Sequence, residues 1–314
     1  MITDIPGVLV GHWTDREAMT GCTVVVLPKA TTASGEVRGG APASREFALL
    51  EPTRTVGHVD AVVLSGGSAF GLAAGDGVMA GLAERGRGFE TKAGPVPIVV
   101  GLSLYDLAVG DGAVRPGPAE GRAAFDTAAD GPYEVGLVGA GTGATCDKWS
   151  GDPQPAGLGT ATMTVVLSPP DTNGPGDGAA AKSDGDRTLI VGALIAVNAF
   201  GAIDDGTSVA DIGPPVRPDD GGEVGEEPGG TNTTIGVVVT NAAVDKVGCH
   251  WLAQGAHDGL ARSLLPAHTA ADGDGIVVAA TGDLNAAVEV DPMHLRLLVQ
   301  AAVTRAVRSV ADRS

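Results

Sequence analysis

An α+β fold made of layered sheets and helices is predicted by three features of this sequence. Short Val- and Ile-rich runs recur along the chain, each bounded by Gly, Asp or Pro. Ala-rich segments of helical length lie between some of them. The order of the two kinds is mixed, neither a strict strand–helix alternation nor a repeat, which favours α+β layers over a doubly wound parallel sheet.

The strand-like runs are Thr23–Leu27, Ala61–Leu64, Thr162–Leu167, Leu189–Val197, Ile235–Val239 and Ile276–Ala280. Their length and β-branched content mark buried strands. The first helix is expected over Ala69–Arg85, following Gly66-Gly67-Ser68, with Ser68 placed as its N-cap. Two more are expected over Trp251–Leu265 and Pro292–Val310, the latter with Arg296, Arg305 and Arg308 on its polar side. Ser168–Arg187 and Asp211–Thr231 are rich in Pro, Gly and acid, so both read as flexible acidic loops.

A chain of 314 residues with 43% hydrophobic content can bury a substantial core. Only 3% of residues are aromatic, so Ala, Val, Leu and Ile must fill that core. The formal charge of −18 argues against nucleic-acid or anionic-membrane partners, which require clustered Lys and Arg. Residues 171–230 alone carry a net −9, half the total in under a fifth of the chain. Cys22, Cys146 and Cys249 include no close pair, which points to neither a disulfide framework nor a zinc site and suits a reducing cytoplasm. The first residues have no basic segment followed by a long apolar run, and no stretch reaches the length of a membrane span. A cytoplasmic protein is expected.

Several familiar patterns fail. Gly66-Gly67-Ser68-Ala69-Phe70 lacks the last glycine of a nucleophile elbow. Gly139-Ala140-Gly141-Thr142-Gly143 is neither a dinucleotide fingerprint nor a P-loop. Asp272-Gly273-Asp274 opens like a calcium loop, but Ile276 stands where a third oxygen ligand belongs. The six histidines include no H-x-x-x-H pair. The sequence therefore supports no metal site and no cofactor.

The chemistry concentrates where the second acidic loop meets a strand, at Thr231-Asn232-Thr233-Thr234-Ile235-Gly236-Val237. An Asn-Thr bond in such a place can undergo an N-to-O acyl shift, in which the Thr233 hydroxyl attacks the Asn232 carbonyl and the ester is then hydrolysed. The product is a threonine with a hydroxyl and a free α-amine of ordinary pKa near ~8, able to serve as its own base.

The chain resembles the self-processing L-aminopeptidase/D-esterase family, which includes β-peptidyl aminopeptidases and the endo-type nylon-oligomer hydrolase. The resemblance runs nearly end to end. It is carried by Asp4-Ile5-Pro6-Gly7-Val8 with Val10-Gly11-His12, Val37-Arg38-Gly39-Gly40-Ala41-Pro42, and Leu64-Ser65-Gly66-Gly67-Ser68-Ala69-Phe70-Gly71-Leu72. It continues through Val138–Thr145, Gly157-Leu158-Gly159-Thr160-Ala161, Asn232-Thr233-Thr234 and His268 to Asp272-Gly273-Asp274.

The resemblance implies one catalytic domain over residues 1–314, folded as a layered αββα sandwich of the N-terminal-nucleophile hydrolase type. It implies cleavage into an α chain of 1–232 and a β chain of 233–314, and assembly as a homo-oligomer, often a tetramer. Thr233 matches the nucleophile, and Asn198 the donor to the developing oxyanion. Lys148 matches a lysine beside the nucleophile. Asp272 and Asp274 match acids that orient the amine and hydroxyl, and Tyr105 matches an aromatic at the pocket wall. His268, His12 and the Gly66–Ser68 turn read as structural. Gly275 stands where the family commonly has threonine, which predicts a looser loop there. The activity implied is removal of N-terminal residues from small peptides or amides. Endo-hydrolysis of ω-amino-acid oligomers and acyl transfer of the ornithine acetyltransferase type are the alternatives.

Overall fold

The computed structural model describes residues 1–167, 188–207, 232–284 and 290–311. Both acidic stretches, 168–187 and 211–231, lie outside the described residues. The first half contributes β1 (Leu9–Asp15), β2 (Thr20–Val26), β3 (Thr32–Val37), β4 (Ala43–Arg45), β5 (Ala61–Ser65), α1 (Ala74–Glu84), β6 (Val99–Ser103) and α2 (Pro118–Asp126). Then follow β7 (Thr145–Cys146), β8 (Gln154–Pro155), β9 (Gly157–Val166), β10 (Thr188–Val197), β11 (Ala202–Ile203), β12 (Ile235–Thr240), α3 (Lys246–Ala261), β13 (Leu264–Leu265), β14 (Gly275–Ala280) and α4 (Pro292–Ala311).

Two five-stranded sheets form the centre, ordered β1-β2-β5-β6-β4 and β3-β14-β12-β10-β9. The period-2 alternation of each strand sorts its side chains into layers. Val25, Val62, Leu64, Val100 and Leu102 of the first sheet meet Leu194, Ala196, Ile235, Val237, Val239, Val277 and Ala279 of the second in one buried cluster. The alternate residues Val24, Val26, Val63 and Val99 face outward onto Ala74, Val78, Leu82, Ala124 and Phe125 of α1 and α2. Val191, Ala193, Ile195, Val238, Ile276 and Val278 face outward onto α3 and α4. The layers are therefore helix, sheet, sheet, helix, and the fold is α+β with the sandwich expected from the sequence. Strands buried on both faces explain why their runs read as continuously apolar.

Three sequence expectations need correction. Ser68 does not cap a helix: it has φ 54° and begins a 3₁₀ run over Ser68–Ala73, and α1 starts only at Ala74. The cause is steric, since Gly71 packs so closely on the Gly66 carbonyl that a Cβ would lie 1.8 Å from that oxygen. The helix expected over Trp251–Leu265 starts earlier, at Lys246, because the Asp245 carboxylate accepts the Gly248 N–H at 2.7 Å. Leu264–Leu265 instead pairs with β11. The polar strands β1 and β3 and the helix α2, only nine residues long and mostly small or polar, hold too few large apolar residues to be read from sequence. All three cysteines are free and buried, and no described helix is long and apolar enough to cross a membrane.

Asp245→Ala should lower the unfolding free energy by about 1 kcal/mol through loss of the cap. Leu102→Ala, in the layer between the sheets, should cost about 2–5 kcal/mol. Denaturant titration of both variants checks this, and equal losses would contradict the assignment of Leu102 to the inter-sheet core.

Candidate active site

Strand topology brings the candidate residues together. β12 pairs with β14 in parallel, Ile235 opposite Gly275, so Asn232-Thr233-Thr234 and Asp272-Gly273-Asp274 enter the sheet side by side. β10 runs antiparallel to β12, with Ala196 opposite Ile235, so Asn198 leaves the sheet at the same edge. A parallel bridge between Asn232 and Asp272 continues the ladder one step beyond the strands. Asn198, Asn232, Thr233, Asp272 and Asp274 are all buried.

Two donors meet at the carbonyl of the Asn232–Thr233 bond. The Thr233 hydroxyl donates to Asn232 O at 2.5 Å, and the Gly273 N–H donates to the same oxygen at 2.9 Å. The resemblance assigns oxyanion support to Asn198. In the structure the Asn198 amide donates to Tyr105 O at 3.0 Å, and the backbone donor on the Asn232 carbonyl is Gly273. A Cβ at Gly273 would lie 2.3 Å from Ala41 O, so only glycine lets the N–H approach this closely.

Asn198 works as a bracket. Its backbone carbonyl accepts the Thr233 N–H at 2.8 Å and the Lys148 ammonium at 3.3 Å. Its side-chain oxygen accepts Lys148 Nζ at 2.9 Å and Thr145 N–H at 3.1 Å. Lys148 is delivered by a tight turn between left-handed Asp147 and Gly151, and this turn is tied down by Asp147 N–H on Gly201 O and Trp149 N–H on Phe200 O.

The two acids bond different partners around Thr233. Asp272 accepts from Thr269 N–H at 2.7 Å, Thr269 Oγ1 at 2.6 Å and Phe200 N–H at 3.3 Å. Asp274 accepts the Thr234 N–H at 2.7 Å with one oxygen and bonds His268 Nδ1 at 2.7 Å with the other. His268, read as structural from sequence, thus touches a candidate acid. The signal in the sequence was its spacing, four residues before Asp272. Gly275 does not loosen the loop: it donates to Thr234 O at 3.0 Å and packs on Leu102.

Tyr105 contributes its carbonyl to the bracket, and the next residue explains the Gly66-Gly67-Ser68 motif. Asp106 is buried and accepts Gly67 N–H and Thr20 Oγ1, each at 2.7 Å. A Cβ at Gly66 would fall 1.9 Å from the Asp106 carboxylate. The glycine turn is therefore wrapped around the acid that anchors the Tyr105 segment. Backbone donors and buried anchors of this kind leave little trace in a single sequence.

Burial dominates the electrostatics. It pushes the Lys148 amine down to about 8, against the opposing pull of the Asp272 charge. It raises the Asp272 carboxyl, helped by the neighbouring Asp274 charge and resisted by the Thr269 and Phe200 hydrogen bonds.

Residues 1–313 match the family described as peptidase family S58. The chain belongs to that family. It is 39% identical over 317 residues to an uncharacterised aminopeptidase of Mycobacterium leprae, covering 92% of this chain and 81% of the relative. It is 30% identical to a 6-aminohexanoate-oligomer endohydrolase of an Agromyces species, covering 98% and 82%. Among solved structures it superposes on a β-aminopeptidase of a Burkholderia species with TM-score 0.69 at 22% identity, covering 98% of this chain and 85% of that one. The L-aminopeptidase D-Ala-esterase/amidase of Ochrobactrum anthropi gives TM-score 0.68 at 20% identity, covering 98% and 85%, and is described as a variant of the Ntn-hydrolase fold. The S58 chain described here is accordingly a hydrolase of amide bonds, of aminopeptidase type.

The Lys148 shift has a thermodynamic signature. The amine titrates near its ordinary 10.5 in the unfolded chain and near about 8 in the folded one. Between those values the unfolded chain binds more protons, so the contribution of Lys148 to stability rises with pH across that window. The unfolding free energy of the parent relative to Lys148→Met should shift in favour of the parent from pH 8 toward 10.5. A constant difference would show that the amine keeps its ordinary proton affinity.

Proposed function

We propose that this S58 hydrolase cuts its own chain between Asn232 and Thr233 and then uses Thr233 as an N-terminal nucleophile on small peptides or amides. The observation that carries the reading is the convergence of the Thr233 hydroxyl and the Gly273 N–H on the carbonyl of that one bond.

In processing, Thr233 Oγ1 gives up its proton and bonds to the Asn232 carbonyl carbon. The oxygen that becomes negative is the one facing Gly273 N–H, a placement that favours the tetrahedral state. The C–N bond then breaks as the nitrogen takes up the proton that the hydroxyl gave, leaving as the Thr233 α-amine, and water hydrolyses the ester to an Asn232 carboxylate and a free hydroxyl. Lys148, with its proton affinity lowered to about 8, is the proposed proton acceptor before an α-amine exists.

After the cut, the new amine keeps the Asn198 carbonyl as its neighbour and shares it with Lys148. Two cations at one carbonyl repel, which disfavours protonating both and leaves a free amine to take the hydroxyl proton. Thr233 is only 2% exposed in the continuous chain, so the Asn232 end must withdraw before a substrate can reach it. A substrate acyl group would then occupy the place of Asn232, with its carbonyl on Gly273 N–H. Self-association as a homo-oligomer, a tetramer by resemblance to the family, belongs to the same reading.

One observation favours a second reading, endo-hydrolysis of ω-amino-acid oligomers. The acyl residue that the uncut site holds, Asn232, is an interior residue of its own chain, so the site accepts an acyl group with chain on its amino side. The relative from Agromyces is named for that chemistry. Mass spectrometry of products from a free and an N-acetylated oligomer separates the two, because an aminopeptidase releases nothing from the blocked one.

Purified protein should run as two fragments with Thr233 as the second N-terminus, and Thr233→Ala should remain one chain. Cleavage of that variant at the same bond would remove Thr233 as the nucleophile. In processed protein, Asn198→Ala should slow turnover about 10²-fold by taking away the side-chain acceptor that places Lys148, and Asp274→Asn should impair both processing and turnover. Wild-type rates in both variants would dismantle the proposed site.

A further inference from the structure

His268 lies in the loop that leads into β14 and has a left-handed backbone, φ 57°. Its ring is clamped from both ends. Nδ1 meets Asp274 Oδ2 at 2.7 Å, and Nε2 meets the His257 carbonyl at 3.3 Å. Both partners are acceptors. A neutral imidazole has one N–H and would turn a lone pair toward one of them, so only the imidazolium satisfies both. The backbone N–H of His268 also points to Asp274 Oδ2, at 3.3 Å.

The arrangement differs from a nucleophile–histidine–acid triad in one decisive respect. The ring nitrogen remote from the acid faces a backbone carbonyl, not Thr233, so His268 cannot take the hydroxyl proton. What it can do is hold Asp274. That carboxylate has its other oxygen on the Thr234 N–H, one residue after the nucleophile.

The surrounding charges come from three elements. α3 presents His257, whose ring stacks edge-on at 4.9 Å, and Asp258, which pairs with Arg296. The end of β3 presents Glu36 and Arg38, paired with each other at 3.2 Å, with Arg38 also 3.8 Å from Asp258. The loop itself presents Asp272 and Asp274. His257 donates Nε2–H to Glu36 O at 2.9 Å and is held down to about 4 by burial, so it is neutral and does not compete for the proton. For His268, burial pulls downward, but the Asp274 hydrogen bond and charge outweigh it and the net displacement is upward.

We propose that His268 is a positioning residue of the active site, an imidazolium that locks Asp274 onto the Thr234 N–H and thereby fixes the start of β12 on which the nucleophile sits. Loss of its proton as pH rises releases one end of this clamp and misplaces Thr233. The inference rests on Thr233 being the nucleophile, yet the His268–Asp274 pair can be tested without that assumption.

The first test is a titration of the histidine Cε1–H resonances in the unmutated protein, with His268 assigned as the one of six signals that His268→Asn removes. Its midpoint should lie above 6.5 and should fall in Asp274→Asn. A midpoint at or below 6.5, or one indifferent to Asp274→Asn, overturns the proposal. The second test is kinetic. His268→Ala should lower kcat about tenfold or more with KM little changed, as misplacement of a reacting group does. His268→Asn, which retains an amide N–H near the position of Nδ1, should recover most of that loss and remove the part of the alkaline decline that follows the His268 midpoint. Any decline due to Lys148 should persist. A kcat and pH profile of His268→Ala equal to the parent's would also overturn it. If His268→Ala does not fold, the resonance measurement decides alone. Absence of self-cleavage in the unmutated protein sinks the Thr233 reading instead, and leaves the clamp to be judged by its titration.

Discussion

With Ile235 opposite Gly275 and the Gly275 N–H on the Thr234 carbonyl, β12 and β14 are set in parallel register, and that register decides where every candidate residue lies. Parallel neighbours present the same ends to the same sheet edge, so Thr233 and the Asp272–Asp274 segment emerge together. The antiparallel β10 then brings Asn198 to that edge from the opposite chain direction. A slip of one residue between β12 and β14 would turn alternate side chains to the other face and take Gly273 N–H away from Asn232 O. Residues on both sides of these strand ends are fully buried, which specifies the register strongly.

The electrostatics follow from the same placement. Two carboxylates, a lysine and a histidine are drawn into the end of a sheet whose two faces are both covered, where water solvates them poorly. Each is held by protein donors or acceptors in place of water, as buried charges require. The consequence for Lys148 is a proton affinity brought close to neutrality, a useful range for proton transfer. The consequence for Asp274 is a division of labour between its oxygens, one for the Thr234 N–H and one for His268.

Close backbone approach is the other theme of the site. Gly273 brings its N–H to the Asn232 carbonyl because no Cβ separates it from Ala41 O. Gly66 and Gly67 fold around Asp106 for the same reason, and Asp106 in turn anchors the segment whose Tyr105 carbonyl holds the Asn198 amide. The glycine-rich motif thus holds, through Asp106, the segment that bonds Asn198.

The sequence by itself determined the α+β class and, through the family resemblance, marked five of the side chains that the fold gathers: Thr233, Asn198, Lys148, Asp272 and Asp274. The class was legible because strands buried on both faces are uniformly apolar; of the five residues only Asn198 stood out against Val and Ala, and the other four were picked out by the motifs that carry the resemblance. The partners within that set were decided by tertiary structure alone. The donor on the Asn232 carbonyl is a backbone N–H, which every residue but proline possesses and no sequence pattern advertises. The tie between His268 and Asp274 depends on a left-handed turn and on the placement of α3 behind it. The use of Asn198 as a bracket depends on where the Tyr105 segment, which follows β6, places its carbonyl. Residue types follow from burial and chemistry, which act locally. Hydrogen-bond partners follow from register and layer packing, which exist only once distant strands have met.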